Sequence, residues 1–149
     1  MRFSLALPRE ALSVPVIRRV LGDALRGLGV TEDCVSDIVV AASEACTNAI
    51  VHARAGGEFR VAGRVGDDIC HLRITDEGRG PRIAPPPAPE SGDLAESGRG
   101  ITIMRALVDD LDIDSTPPRG TVVRLRKRLT WRDEALIRRL DSSLMHSAG

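Results

Sequence analysis

The segment Thr31–Ala53 constrains the fold most. Val35, Ile38, Val39, Ala42, Cys46, Ala49, Ile50 and Ala53 recur at helical spacing and give it one apolar face. Glu44, Asn48 and His52 fall at i, i+4 and i+8, a single slanted polar stripe on another face. A solvated surface carries such a triplet cheaply. This helix, however, is otherwise rich in Val and Ala, so the stripe predicts a partly enclosed polar site. Thr31, Glu32 and Asp33 supply the start signals, and Gly56-Gly57 the stop.

The flanking segments fix the fold class. Phe3, Leu5 and Leu7 alternate and predict a strand. Ser13 is a candidate cap for a helix with Pro15 in its first turn, the stripe Ile17, Val20, Leu21, Ala24, Leu25 and Leu28, and a stop at Gly29. Phe59, Val61 and Val65, then a Gly66-Asp67-Asp68 turn, then Cys70, Leu72 and Ile74 predict a hairpin. Five prolines between Pro81 and Pro89 predict a long loop over Pro81–Ser97, a length that is usually functional. A short helix follows from Ile101, then a strand at Leu111–Ile113, a turn at Pro117–Gly120 and a last strand Thr121–Leu129. Val123, Leu125 and Leu129 face one side of that strand. Arg124, Arg126 and Arg128 face the other, which predicts a solvated or helix-covered sheet edge. Thr130 is expected to cap a terminal helix with the stripe Leu136, Ile137, Leu140 and Leu144. This order is not regular β-α-β alternation. It predicts an α+β fold, a two-layer sandwich with helices on one face of a mixed, mainly antiparallel sheet.

Composition narrows the function. The 149 residues suit one domain, taken as 1–129, with a C-terminal helix and tail at 130–149. Lys plus Arg and Asp plus Glu are 21 each, so no whole-molecule basic field favours nucleic acid or anionic lipid. Lys127 is the one lysine, and the arginine excess reads as compositional bias. Aromatics at 2% argue against base stacking. Cys34, Cys46 and Cys70 sit singly, which suits a reducing cytoplasm. Met1–Glu10 lacks the apolar core of a signal peptide, and no apolar run approaches the roughly 18 residues of a membrane span.

Two glycine signals join the helix stripe. Asp76-Glu77-Gly78-Arg79-Gly80 follows a strand and lets a ligand lie close to the backbone beside a carboxylate. Ser97-Gly98-Arg99-Gly100-Ile101 precedes a predicted helix, where free amides and the dipole suit phosphate. It is not a P-loop.

Together these segments resemble the histidine-kinase-like (GHKL, Bergerat-fold) ATPase superfamily, which includes gyrase and the histidine kinases. Ser43–Ala53 resembles its N box, Asp76-x-Gly78-x-Gly80 its adenine box, Gly98–Met104 its second glycine box and Gly120–Leu125 its closing strand. The similarity runs from about Leu5 to Leu129, and its best match is the branch of serine-kinase anti-sigma factors. The resemblance implies that Asn48 ligates Mg²⁺ and Glu44 orients or deprotonates the acceptor hydroxyl. It implies that Asp76 takes the adenine amino group of ATP, with Thr121 nearby through water. Gly78 and Gly80 would admit the base, and Gly98, Arg99, Gly100 and Ile101 would cradle the phosphates. His52 matches the motif without an assigned role, and Pro81–Ser97 would be a lid. Pro81 and Arg54 depart from the family pattern but remove no ligand.

The expected function is a cytoplasmic anti-sigma factor with ATP/Mg²⁺-dependent protein serine/threonine kinase activity. It would sequester a sigma factor and phosphorylate a STAS-type anti-anti-sigma protein, as a homodimer, with no direct nucleic-acid or membrane binding. The alternative is a nucleotide-binding regulatory module without significant kinase activity; a regulator of a non-sigma partner is a third. The helix with Arg18, Arg19 and Arg26 is a candidate docking face, with ordinary solvated arginines the plainer reading.

Overall fold

Period-2 strands and period-3.6 helices sort into two layers. A computed structural model describes residues 1–51, 57–77, 91–115 and 120–147. In chain order these form β1 (Arg2–Pro8), α1 (Ser13–Leu28), α2 (Glu32–Val51), β2 (Glu58–Gly66), β3 (Ile69–Glu77), α3 (Ser91–Leu107), β4 (Asp110–Ser115), β5 (Gly120–Arg128) and α4 (Asp133–Ser147). The sheet order is β1-β2-β3-β5-β4. This is the expected α+β two-layer sandwich, and its mainly antiparallel sheet proves antiparallel at every described pairing rather than mixed. β5 is an inner strand between β3 and β4, not an edge.

The core lies between the sheet and α1–α3. Ile17, Leu21 and Leu25 of α1 are fully buried, whereas Val20 and Leu28 at the rim of the expected stripe stay exposed. From α2, Val35, Ile38, Ala42, Cys46 and Ala49 are buried, and small Ala41 and Ala45 widen the packed face. Phe59, Val61, Leu72, Ile74, Val123 and Leu125 meet them from the sheet. Phe3 covers Gly63, its cross-strand partner on β2, so the ring occupies the space a side chain would need.

Helix ends follow local chemistry, with two differences from expectation. Gly29 ends α1 in the left-handed region at φ 94°, and its amide and that of Val30 bond back to Arg26 and Leu25. Ser13 does not cap α1; its hydroxyl donates to the Pro8 carbonyl at 2.6 Å, tying β1 to α1. Thr130 does not cap α4 either. Its hydroxyl meets Thr31 at the start of α2, and its carbonyl accepts from the Thr31 amide. Asp67 and Asp68 take positive φ values of 53° and 62°, forming the two-residue hairpin turn between β2 and β3. Asp68 also anchors α4: Trp131 Nε1 donates to it at 3.0 Å, and Arg139 stacks 3.6 Å over the Trp131 ring. The α4 stripe Leu136, Ile137, Leu140 and Leu144 stays largely exposed.

The expected loop over Pro81–Ser97 gives way to helix at its C-terminal end. Residues 78–90 lie outside the described ones, but Ser91–Ser97 is helical, continuous with α3. No proline stands between Pro89 and Pro117. Helical glycines cost only about 1 kcal/mol each, and packing of α3 on α2 offsets that. By length and composition alone α2 could cross a membrane, against the expectation of no such run. It is instead the central helix, packed by α1, α3 and the sheet.

Candidate functional site

Two members of the polar stripe of α2 are described, and both are partly covered. Glu44 and Asn48 are half-buried beneath α3. A side chain at Gly100 would lie 3.1 Å from Glu44 Oε2 and 3.5 Å from Asn48 Oδ1. Two side-chain oxygens therefore converge on one bare stretch of α3 backbone. A Cβ at Gly100 would sit tightly against the acid and in ordinary contact with the amide. His52, the third member of the stripe, lies outside the described residues, as do Gly78 and Gly80.

Gly98, Arg99, Gly100 and Ile101 differ from the geometry expected of them. They lie within α3, which starts at Ser91, so they do not open a helix. Their amides sit where helix hydrogen bonds consume them rather than in the free first turn. Arg99 is exposed and Ile101 half-buried against the core.

At the other side of the site, β3 carries Asp76, only 6% exposed. Thr121 of β5 is its register partner, so the two residues expected to act together share one rung of the sheet. Thr121 Oγ1 also meets Ser115 Oγ at 3.2 Å. The strands read as apolar up to Ile74, and Asp76 enters the same buried face two residues later. Arg9, just after β1, forms an ion pair with Asp76, both side chains being 8% exposed. The Arg9 amide donates to the Gly57 carbonyl at 3.1 Å, which fixes its backbone beside β2. Sequence reasoning missed Arg9. No spacing rule links a residue after the first strand to a carboxylate on the third, and only the β1–β2–β3 register brings them together.

The donor set fits the groups the motifs imply. Asp76 Oδ1 is the atom that the Arg9 guanidinium engages, so an adenine amino group would have to share or displace that contact. Asn48 offers a hard oxygen donor of the kind Mg²⁺ takes, with the Glu44 carboxylate one turn away. Among the described residues no group of three or more His, Cys, Asp or Glu could hold a metal ion. Thiol chemistry is disfavoured: burial pushes Cys46 up to about 12, and burial with the neighbouring Cys34 pushes Cys70 up to about 12.

Residues 7–127 match the family model of the histidine kinase-like ATPase domain. The anti-sigma F factor of Bacillus subtilis is 36% identical over 107 residues, covering 67% of this chain and 73% of the relative. That of Caldanaerobacter subterraneus is 31% identical over 116 residues, covering 74% and 81%. A crystal structure of the RsbU and RsbW domains of a Mycobacterium tuberculosis protein superimposes with a TM-score of 0.67. It is 22% identical and spans 87% of this chain but 32% of that longer one, a likeness of fold. With its buried Asp76, its Glu44–Asn48 stripe and these matches, the chain belongs to the histidine kinase-like ATPase domain family, in the branch that holds the anti-sigma F factors.

Proposed function

We propose that this protein is an anti-sigma factor that binds ATP with Mg²⁺ and phosphorylates a serine or threonine of a STAS-type anti-anti-sigma protein. The observation that carries the reading is the convergence of Glu44 and Asn48 on the bare backbone at Gly100. We take residues 1–129 as the ATPase domain, 130–149 as an appended helix and tail, the chain as a homodimer and the cytoplasm as its compartment.

The residues divide the work. Asp76 accepts from the adenine amino group, supported by Thr121 on the same rung. Gly78 and Gly80 give the base room, and Gly98, Arg99, Gly100 and Ile101 border the phosphates. Mg²⁺, when bound through Asn48, neutralises charge on the phosphate oxygens. Glu44 would orient the incoming hydroxyl and take its proton as the new oxygen–phosphorus bond forms and the bond from the γ-phosphorus to the β–γ bridging oxygen breaks, with ADP as the leaving group. Phosphoryl transfer is mainly positioning and charge neutralisation, so one acid and one amide suffice.

Calorimetry with Mg-ATP tests the reading. The wild type should bind, Asn48→Ala should lose binding, and Glu44→Ala should bind yet fail to label a STAS partner. No binding at millimolar ATP overturns it. A second reading, a regulatory module that holds nucleotide and partner without transfer, draws support from Arg9, which already engages Asp76. Binding with no labelling of any STAS partner favours that module.

A further inference from the structure

The face of the sheet opposite the helices carries a charge pattern that no single strand reveals. One rung reads Arg2, Arg64, His71, Arg126 and Asp110 across all five strands. The next reads Ser4, Ala62, Arg73, Arg124 and Asp112. Arg60 on β2 extends the cluster by one more rung. The six arginines are exposed, and Arg2, Arg64, Arg73, Arg124 and Arg126 border an open trough of about 900 Å³. Of the six, Arg124 has an ion pair among the described residues, with Asp112 at 3.1 Å.

This arrangement costs the free protein stability. Like charges directly opposite on neighbouring strands repel, and here Arg2 faces Arg64 and Arg73 faces Arg124. Arg64 and Arg126 also flank His71, whose imidazole is held below its ordinary range first by desolvation and then by those two guanidiniums. A chain with no net charge has put its cations where they oppose one another. Violations of a local rule of this kind concentrate at functional surfaces.

We propose that this outer sheet face docks an acidic segment of a partner protein through arginine–carboxylate pairs across β2, β3 and β5. Guanidiniums match carboxylates in paired geometry, and every one of the six cations is arginine. Nucleic acid fits less well. No Phe, Tyr or Trp stands in the two arginine rungs to stack on a base. A second copy fits less well too, because Asp110, Asp112 and Asp114 on β4 cannot answer six arginines. The proposal stands apart from the nucleotide site.

The test uses the full chain and a fluorescein-labelled deca-glutamate peptide, read by anisotropy at low and moderate salt. The wild type should bind in a salt-sensitive way, and Arg73→Thr/Arg126→Thr should weaken binding about tenfold. The same double variant should melt at a higher temperature, because the repulsion is gone. A merely structural role for these arginines would lower the melting temperature, and that result overturns the proposal, as does unchanged peptide binding. A thymidine decamer bound more tightly than the peptide and lost in the same variant would make the face a nucleic-acid surface. Self-association lost in the variant while peptide binding persists would assign it to a second copy; either outcome overturns the proposal.

Discussion

The two faces of the sheet share every strand yet obey opposite rules. The inner face is apolar and closed: Phe59, Val61, Ile74, Val123 and Leu125 are at most 5% exposed. The outer face is charged and open, and its neighbours repel. Side chains alternate with period 2, so each strand contributes to both. The inner face stabilises the fold by removing apolar area from water. The outer face sets like charges side by side, which works against that stability, and the proposed acidic partner would offset it.

The sharpest way to break this contrast is to mutate adjacent residues of β2. Phe59→Ala should lose about 3–5 kcal/mol, the cost of emptying a core aromatic site. Arg60→Thr, next in sequence but on the outer face, should stay within about 0.5 kcal/mol. Urea unfolding of both variants measures the difference. Equal losses would mean that the outer face is packed rather than open.

Glycine positions probe the closed side at smaller scale. A side chain at Gly63 would collide with the Phe3 ring and crowd Leu72. Gly63→Ala should therefore cost about 1–3 kcal/mol by overpacking. At Gly29 two terms combine: φ of 94°, and an added Cβ that would strike Ala135 of α4. Gly29→Ala should cost a similar amount and also loosen α4, seen as faster amide exchange after Trp131. An unchanged exchange pattern would mean that α4 docks through Asp68 and Trp131 alone.

Sequence reasoning saw the inner face well because burial is a property of each strand by itself. Alternation in Phe59–Val65 and Cys70–Ile74 gave the hairpin, and α2 announced both its core side and its polar stripe. It read the row Arg124, Arg126 and Arg128 as a solvated or helix-covered edge. The row instead lies on an inner strand, and no described helix covers it. The error is physical in origin: which arginines become neighbours depends on register between β2, β3 and β5, and register is a long-range property. The same holds for Arg9 and Asp76. The start of α3 was missed for a local reason: proline and glycine at 81–100 argue for a loop, yet the helix runs from Ser91, and at Gly100 its backbone lies against Glu44 and Asn48 of α2.

The smallest effect is also the most direct probe of the field on the outer face. His71 on β3 sits between Arg64 on β2 and Arg126 on β5, with Arg73 two residues along and Arg2 and Asp110 at the ends of its rung. Its pKa is lowered from 6.5, by desolvation first and then by Arg64 and Arg126. Below 6.5 the unfolded chain therefore binds the proton before the folded one does. By linkage, stability falls as pH drops through that value toward the folded pKa, and this contribution is flat above it. His71→Gln should flatten the slope of stability between about pH 7 and about pH 5. Arg126→Thr should move the imidazole titration, followed by proton NMR, back up toward its ordinary range. Because His71 is only half-buried, water screens the arginines, and the shift will be modest. A titration that ignores Arg126 altogether would mean that solvent already cancels the repulsion, and the two faces would then differ in exposure but not in strain.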